Sequence, residues 1–261
     1  MHRFLAILLP FLIGFAISPA NATDLSGKLS LSKKFIEQLV DAEASDDNSK
    51  ARGYWNDPNG VKPVSPPRID LSSDFGVALF KDDGGEPKPD PVTSVKVRTG
   101  SLEKSVIVIR PKSRIKFIMK SPFDHELYAP HKHDFKPQVQ GSNSFRPIDF
   151  YSAGIFEVKC KLFPHFQGWV VVVPASHVID VSSSGSFKVD DLEPGKYTLK
   201  VFFRGGWIYE KKINVEGRKQ DVKVELKKIS AQKGDDEDKG KEDGKKKDGE
   251  AKKKGGDDGY K

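Results

Sequence analysis

The stretch Gly154-Ile155-Phe156-Glu157-Val158-Lys159-Cys160-Lys161-Leu162-Phe163-Pro164-His165-Phe166-Gln167-Gly168-Trp169-Val170-Val171-Val172 decides the fold. Its first half alternates: Phe156, Val158 and Cys160 fall on one side of an extended chain, and Glu157, Lys159 and Lys161 on the other. Its last half is a run of valines after Gly168-Trp169, too short for a helix and β-branched throughout, which reads as a buried strand. Pro164 breaks the chain between them. The segment is therefore two strands joined by a loop, with Cys160 and His165 at that loop.

The same texture continues on both sides. Short β-rich runs separated by turn residues lie at Gly76 to Phe80, Val92 to Arg98, Ser105 to Ile109 and Arg114 to Lys120. After the central stretch come Val178 to Val181, Ser186 to Val189, Gly195 to Phe203, Trp207 to Val215 and Gln220 to Leu226, with Arg204-Gly205-Gly206 as a hairpin signal. Many strands at this spacing without a long helix predict an all-β protein built of two consecutive β-sandwiches, divided at Pro174-Ala175. Ahead of them, Phe35, Ile36, Leu39 and Val40 recur at helical spacing behind a capping Ser32, and Ser45 to Pro67 reads as a long polar loop.

The termini set the compartment. Arg3, the apolar run Phe4 to Ile17 and the small residues Ala20-Asn21-Ala22 form a secretory signal peptide with cleavage expected after Ala22. The apolar run is short of the roughly 20 residues that a bilayer needs, so no membrane span is expected after cleavage. A single cysteine in 261 residues excludes an intramolecular disulfide framework and makes Cys160 a buried thiol or a metal ligand. From Lys233 to Lys261 ten Lys balance ten Asp and Glu, so that tail is expected to be a disordered polyampholyte. The net charge of +7 is then spread over the remainder with no basic run interleaved with aromatics, and no nucleic-acid partner is expected. No phosphate loop, dinucleotide fingerprint, metalloprotease histidine pair or nucleophile elbow occurs, so the chain is not expected to be an enzyme.

Phe117, then Ser121-Pro122-Phe123-Asp124-His125-Glu126-Leu127-Tyr128, followed some 35 residues later by Cys160 and its loop, resembles the cupredoxins, small copper-binding β-sandwiches. The resemblance is nearest to secreted cupredoxin-like proteins of the methylamine-utilisation or plastocyanin-like type. It implies that His125 is the first ligand, that Cys160 is the thiolate ligand, and that Gly168-Trp169-Val170-Val171-Val172 is the closing strand. It also implies that the strand carrying the first histidine neighbours the strand ending in the cysteine. In one register Phe163 stands where the family has its second histidine and Phe166 where it has methionine. In another, Cys160-x4-His165 supplies the second histidine and the metal set is His125, Cys160 and His165, which could hold copper as a trigonal site. The first register is the leading expectation: a degenerate copper site, with Phe163 and Phe166 packed over it and a binding or structural role for an exported envelope protein. Copper-handling or electron transfer through His125, Cys160 and His165 is the alternative.

Downstream, Asp180-Val181-Ser182-Ser183-Ser184-Gly185-Ser186-Phe187 and Leu192-Glu193-Pro194-Gly195-Lys196-Tyr197-Thr198-Leu199 resemble the carboxypeptidase regulatory-like β-sandwich domain, which implies a non-catalytic module. The expected organisation is a signal peptide over 1–22, an N-terminal extension with a short helix and loop over 23–70, a cupredoxin-like domain over 71–175, a carboxypeptidase regulatory-like domain over 176–229 and a disordered tail over 230–261. Two further features attract a binding reading. His131-Lys132-His133 would place two imidazoles on one side of an extended stretch. Trp207 and Tyr209 would share a strand face, which with Tyr54 and Trp55 suggests a carbohydrate or surface-partner module.

Overall fold

The computed structural model describes residues 22–45 and 69–229. Most of the expected signal peptide, nearly all of the expected polar loop with Tyr54 and Trp55, and the expected tail lie outside the described residues. In chain order the elements are β1 (Thr23–Leu31), α1 (Lys33–Ser45), α2 (Leu71–Asp74), β2 (Phe75–Lys81), β3 (Thr93–Arg98), β4 (Ser101–Leu102), β5 (Val106–Ile109) and β6 (Ser113–Met119). They continue with β7 (His125–Tyr128), β8 (Gln138–Gln140), β9 (Phe145–Phe150), β10 (Gly154–Cys160), β11 (Gln167–Val172), β12 (His177–Ile179), β13 (Ser186–Leu192), β14 (Gly195–Phe203), β15 (Gly206–Val215) and β16 (Lys219–Leu226). The protein is all-β, as its patterning requires. Among the described residues no helix is long and apolar enough to cross a membrane.

One sandwich faces a four-stranded sheet, β4-β3-β6-β9, against a five-stranded sheet, β5-β11-β10-β7-β8. Alternation explains its core: Val95 and Val97 from β3, Ile115, Phe117 and Met119 from β6, Val158 and Cys160 from β10, and Val170 and Val172 from β11 all point inward. The other sandwich faces β13-β1-β16 against β12-β2-β14-β15. Its core joins Leu25 and Leu29 of β1, Val77 and Leu79 of β2, Tyr197, Leu199 and Val201 of β14, and Val222 and Val224 of β16. Helix α1 adds Phe35 and Leu39 to the same core, and it starts where expected, with Ser32 Oγ accepting from Phe35 N at 3.2 Å.

The boundaries read from the sequence need correction. Where it is described, the expected extension over 23–70 does not stand apart from the sandwiches, because β1 is the middle strand of its sheet, antiparallel to β13 and parallel to β16 over eight register pairs. Likewise β2 does not belong to the His125 sandwich. It runs between β12 and β14, pairing Val77 with Val201 and Ile179. The His125 sandwich is thus inserted between β2 and β12 of the second sandwich. Local pattern could not reveal this, because pairing partners of β1 lie more than 150 residues away in the chain. The sequence reading assigns no strand to β1. Only three of its nine residues are leucine, and Gly27 is there because any Cβ would stand 2.2 Å from the Phe187 ring.

A third apolar cluster welds the units. Val106, Val171 and Phe202 are buried against Val108, Trp169, Val173 and Trp207. Two close approaches shape it. A Cβ on Gly76 would lie 2.3 Å from Val108, and one on Gly205, at φ +89° in the β14–β15 turn, would lie 3.3 Å from the Trp169 indole nitrogen. The register of β14 on β15 shifts between Val201 and Phe202, so Phe202 pairs with Trp207 and Val201 with Tyr209. That irregularity separates the expected aromatic pair: Trp207 packs into the inter-sandwich cluster and Tyr209 against the core of the second sandwich.

Candidate functional site

Strand pairing brings the first two expected site residues together. β7 and β10 are antiparallel neighbours, with Cys160 opposite Leu127 and Lys159 opposite Tyr128. Cys160 continues the core side of β10, and His125 opens β7 beside it. The His125 Nδ1 atom lies 3.8 Å from Cys160 Sγ, and the same sulfur accepts the Glu126 N–H at 3.3 Å. His125 is fully buried and Cys160 only 3% exposed.

The loop after Cys160 then decides the chemistry. Phe166 N donates to Phe163 O at 2.9 Å, a tight turn that folds both phenylalanines back toward the histidine. The Phe163 ring lies over His125 with centroids 4.9 Å apart and a 30° tilt, and Phe166 flanks it at 6.0 Å. Phe123 adds a third ring, 6.3 Å from Phe163. His165, at the crest of the turn, is exposed. Its Nε2 sits where a Cβ on Gly100 would be 2.7 Å away, against the turn between β3 and β4. The structure therefore joins His125 to Cys160 and leaves His165 facing another turn.

Electrostatics follow from the enclosure. Burial lowers the pKa of His125 below the ordinary histidine value of 6.5, against a smaller opposing pull from the Asp124 carboxylate. The ring is therefore neutral at neutral pH. Its Nε2 is buried with no hydrogen-bond partner, a defect that costs about 1–3 kcal/mol. Two donors 3.8 Å apart, with an orphaned imidazole nitrogen, make only a partial ligand set. A trigonal copper centre needs two imidazoles and a thiolate. Here the second imidazole is replaced by phenyl rings, and among the described residues no three His, Cys, Asp or Glu side chains gather closely enough to hold an ion. The residues present do not fit a resident copper.

The other sequence candidates resolve simply. His131 and His133 are exposed residues of the turns over 130–135, where strand alternation does not apply, and Lys132 between them pairs with Asp134. The residue that sequence reasoning passed over is Arg146. It is 8% exposed, donates to the carbonyls of Leu127 at 2.9 Å and Lys136 at 2.8 Å, and lies 4.8 Å over the Phe135 ring. From β9 it ties the 129–137 loop and β7 to the facing sheet. Its one visible signal was a cation between apolar neighbours in Phe145-Arg146-Pro147-Ile148.

No protein-family model matches the chain, and no curated protein matches it. Solved structures of cupredoxins do align with part of it. Amicyanin from Paracoccus versutus is 17% identical, with a TM-score of 0.29, over 37% of this chain and 98% of that one. A purple cupredoxin from Nitrosopumilus maritimus is 12% identical, with a TM-score of 0.28, over 31% of this chain and 99% of that one.

Proposed function

We propose that this is an exported, non-catalytic envelope or extracellular protein in which a cupredoxin-like sandwich has exchanged its metal centre for an aromatic plug. Its role is then binding or structure, with a carboxypeptidase regulatory-like second sandwich as the frame. The observation that carries the reading is Phe163 stacked on His125 while His165 lies against Gly100. Export draws support from the start of β1 at Thr23, the first residue after the expected cleavage. The retained 3.8 Å approach of Cys160 and His125 is what favours copper handling as a second reading. The carbohydrate reading loses its motivating pair, since Trp207 and Tyr209 pack on different clusters.

Titration of the processed protein with Cu(II), followed by visible absorption, tests the proposal. The expected result is no intense thiolate-to-copper band. A band that saturates at one equivalent and vanishes in both Cys160→Ser and His165→Ala would overturn it in favour of the copper reading.

A further inference from the structure

The water-facing sides of the sheets differ in charge. On β7 and β10, with Lys161 just beyond, two acids meet two bases, joined as Lys159–Glu157 at 3.0 Å and Lys161–Glu126 at 3.9 Å. On β13-β1-β16 the outward Lys28, Lys188, Lys219 and Lys223 are balanced by Asp24, Asp190, Asp221 and Glu225. The face of β4-β3-β6-β9 is not balanced. Val95, Val97, Ile115, Phe117 and Met119 point into the core, so alternation turns Lys96, Arg98, Arg114, Lys116 and Lys120 outward together. Two acids oppose these five cations. Asp149 is held by Arg114 at 2.6 Å, and Glu103 is shared by Arg98 at 2.7 Å and Lys96 at 3.2 Å. Lys116 and Lys120 are left without a carboxylate partner among the described residues, and Lys116 lies 3.9 Å over the Phe145 ring instead.

The same face is apolar where an outer sheet surface is ordinarily polar. On its edge strand β9 the Phe145 ring is 56% exposed, and Tyr151 just beyond is 65% exposed. The two are six residues apart, about 20 Å along an extended chain. Strand register sets Ile118 between Lys96 and Phe145, and Lys116 between Ser94 and Pro147, so apolar groups and cations interleave. A complement must therefore be anionic. The chain's own segments outside the described residues do not supply it. Residues 1–21 carry Arg3 and no acid, 46–68 hold three Asp against two Lys and two Arg, and ten Lys balance ten Asp and Glu from Lys233 to Lys261. A second copy does not supply it either. The remaining outer face, β12-β2-β14-β15, sets Lys196, Lys200 and Lys212 against Glu210, so no outer sheet face has an acidic excess. A soluble polyanion would meet the cations and leave Phe145 and Tyr151 in water. A bilayer interface takes both, because aromatic rings rest at headgroup depth while Lys and Arg reach the phosphates.

We infer that the outer face of β4-β3-β6-β9 is a peripheral attachment surface for an anionic lipid bilayer, with Lys116 and Lys120 on lipid phosphates and Phe145 at the headgroup boundary. The test is co-sedimentation of the full processed chain with phosphatidylcholine vesicles containing about one-third phosphatidylglycerol, beside vesicles of phosphatidylcholine alone. Each surplus cation near such a surface contributes roughly fivefold in partitioning, so a surplus of three predicts roughly a hundredfold preference for the anionic vesicles. Lys116→Gln with Lys120→Gln should remove roughly twentyfold of it. Phe145→Ser should weaken attachment roughly threefold or more. All three side chains face water, and a thermal melt of each variant confirms that it folds. Lys159→Gln with Lys161→Gln, on the opposite sheet, should change partitioning by about twofold at most. Three results would overturn the inference. One is equal partitioning into the two kinds of vesicle. Another is the same loss from the Lys159 and Lys161 pair as from Lys116 and Lys120, which would mean that overall charge and not this face is read. The third is anionic-vesicle binding untouched by Phe145→Ser, which would assign the face to a soluble polyanion.

Discussion

Replacing Phe163 by histidine should convert the plugged pocket into a metal site. The Phe163 ring centroid is 4.9 Å from that of His125, and the thiol is 3.8 Å from His125 Nδ1. Donors about 2.0–2.3 Å from a shared ion stand at such separations. An imidazole in place of the phenyl ring would thus supply the missing third ligand of a His2Cys set. Without metal, Phe163→His forfeits an aromatic contact of about 0.5–1.5 kcal/mol and some apolar burial, together about 1–2 kcal/mol. At about 2–4 °C per kcal/mol for a chain of this size, its Tm should fall by about 2–8 °C. A ligand at one hundred times its Kd returns about 2.7 kcal/mol, which lifts the melting point to or above that of the unaltered protein. The assay is a thermal melt with and without Cu(II), alongside the visible spectrum. The unaltered protein should show neither shift nor band. A Phe163→His variant that melts identically with and without metal and stays colourless would show that position 163 does not address the His125–Cys160 pair.

Acid should destabilise the protein well before its carboxylates titrate. Burial lowers the pKa of both His125 and His177, with Arg110 adding to the effect at His177. The unfolded chain therefore takes up protons first, so their contribution is complete above about pH 6.5 and is lost as pH falls below it toward the folded values. Glu103 and Asp149, held low by Arg98 and Arg114, stay ionised over that window. Urea midpoints that were flat between pH 7.5 and 5.5 would contradict this. Leu25→Ala should cost about 2–5 kcal/mol, because Leu25 is fully buried in the second core. A change within about 0.5 kcal/mol in chemical denaturation would instead mean that β1 stands apart from the fold. Gly76→Val should cost about 1–3 kcal/mol or more, since even a Cβ would meet Val108 at 2.3 Å and Val106 at 2.8 Å. Calorimetry showing an unchanged melt would place the sandwich interface elsewhere.

Most strands were legible because their side chains alternate on a two-residue period that the chain itself displays. The run from Gly154 to Val172 announced β10, β11 and the loop between them, and the observed strands end within a residue of that reading. β7 and β9 escaped it for different reasons. β7 is four residues long, and β9 interrupts its alternation with Pro147 and with Arg146, whose place is set by Leu127, Lys136 and Phe135 across the sandwich. The candidate site was half legible. Residue types nominated His125, Cys160 and His165, but a thiol and two imidazoles in a sequence carry no information on which of them face one another.

The sequence by itself determined the all-β class, because alternation and turn chemistry are local properties of the backbone. It also determined the presence of a thiol and histidines at strand ends. Tertiary structure decided what these become. The turn that bonds Phe166 N to Phe163 O turns phenyl rings inward and His165 outward, and the reverse choice would have used the same residues. It decided, too, that β1 and β2 close a sandwich whose other strands follow an inserted unit. Pairing between strands so distant in the chain depends on complementary faces meeting after collapse, and no short-range pattern encodes which faces those are.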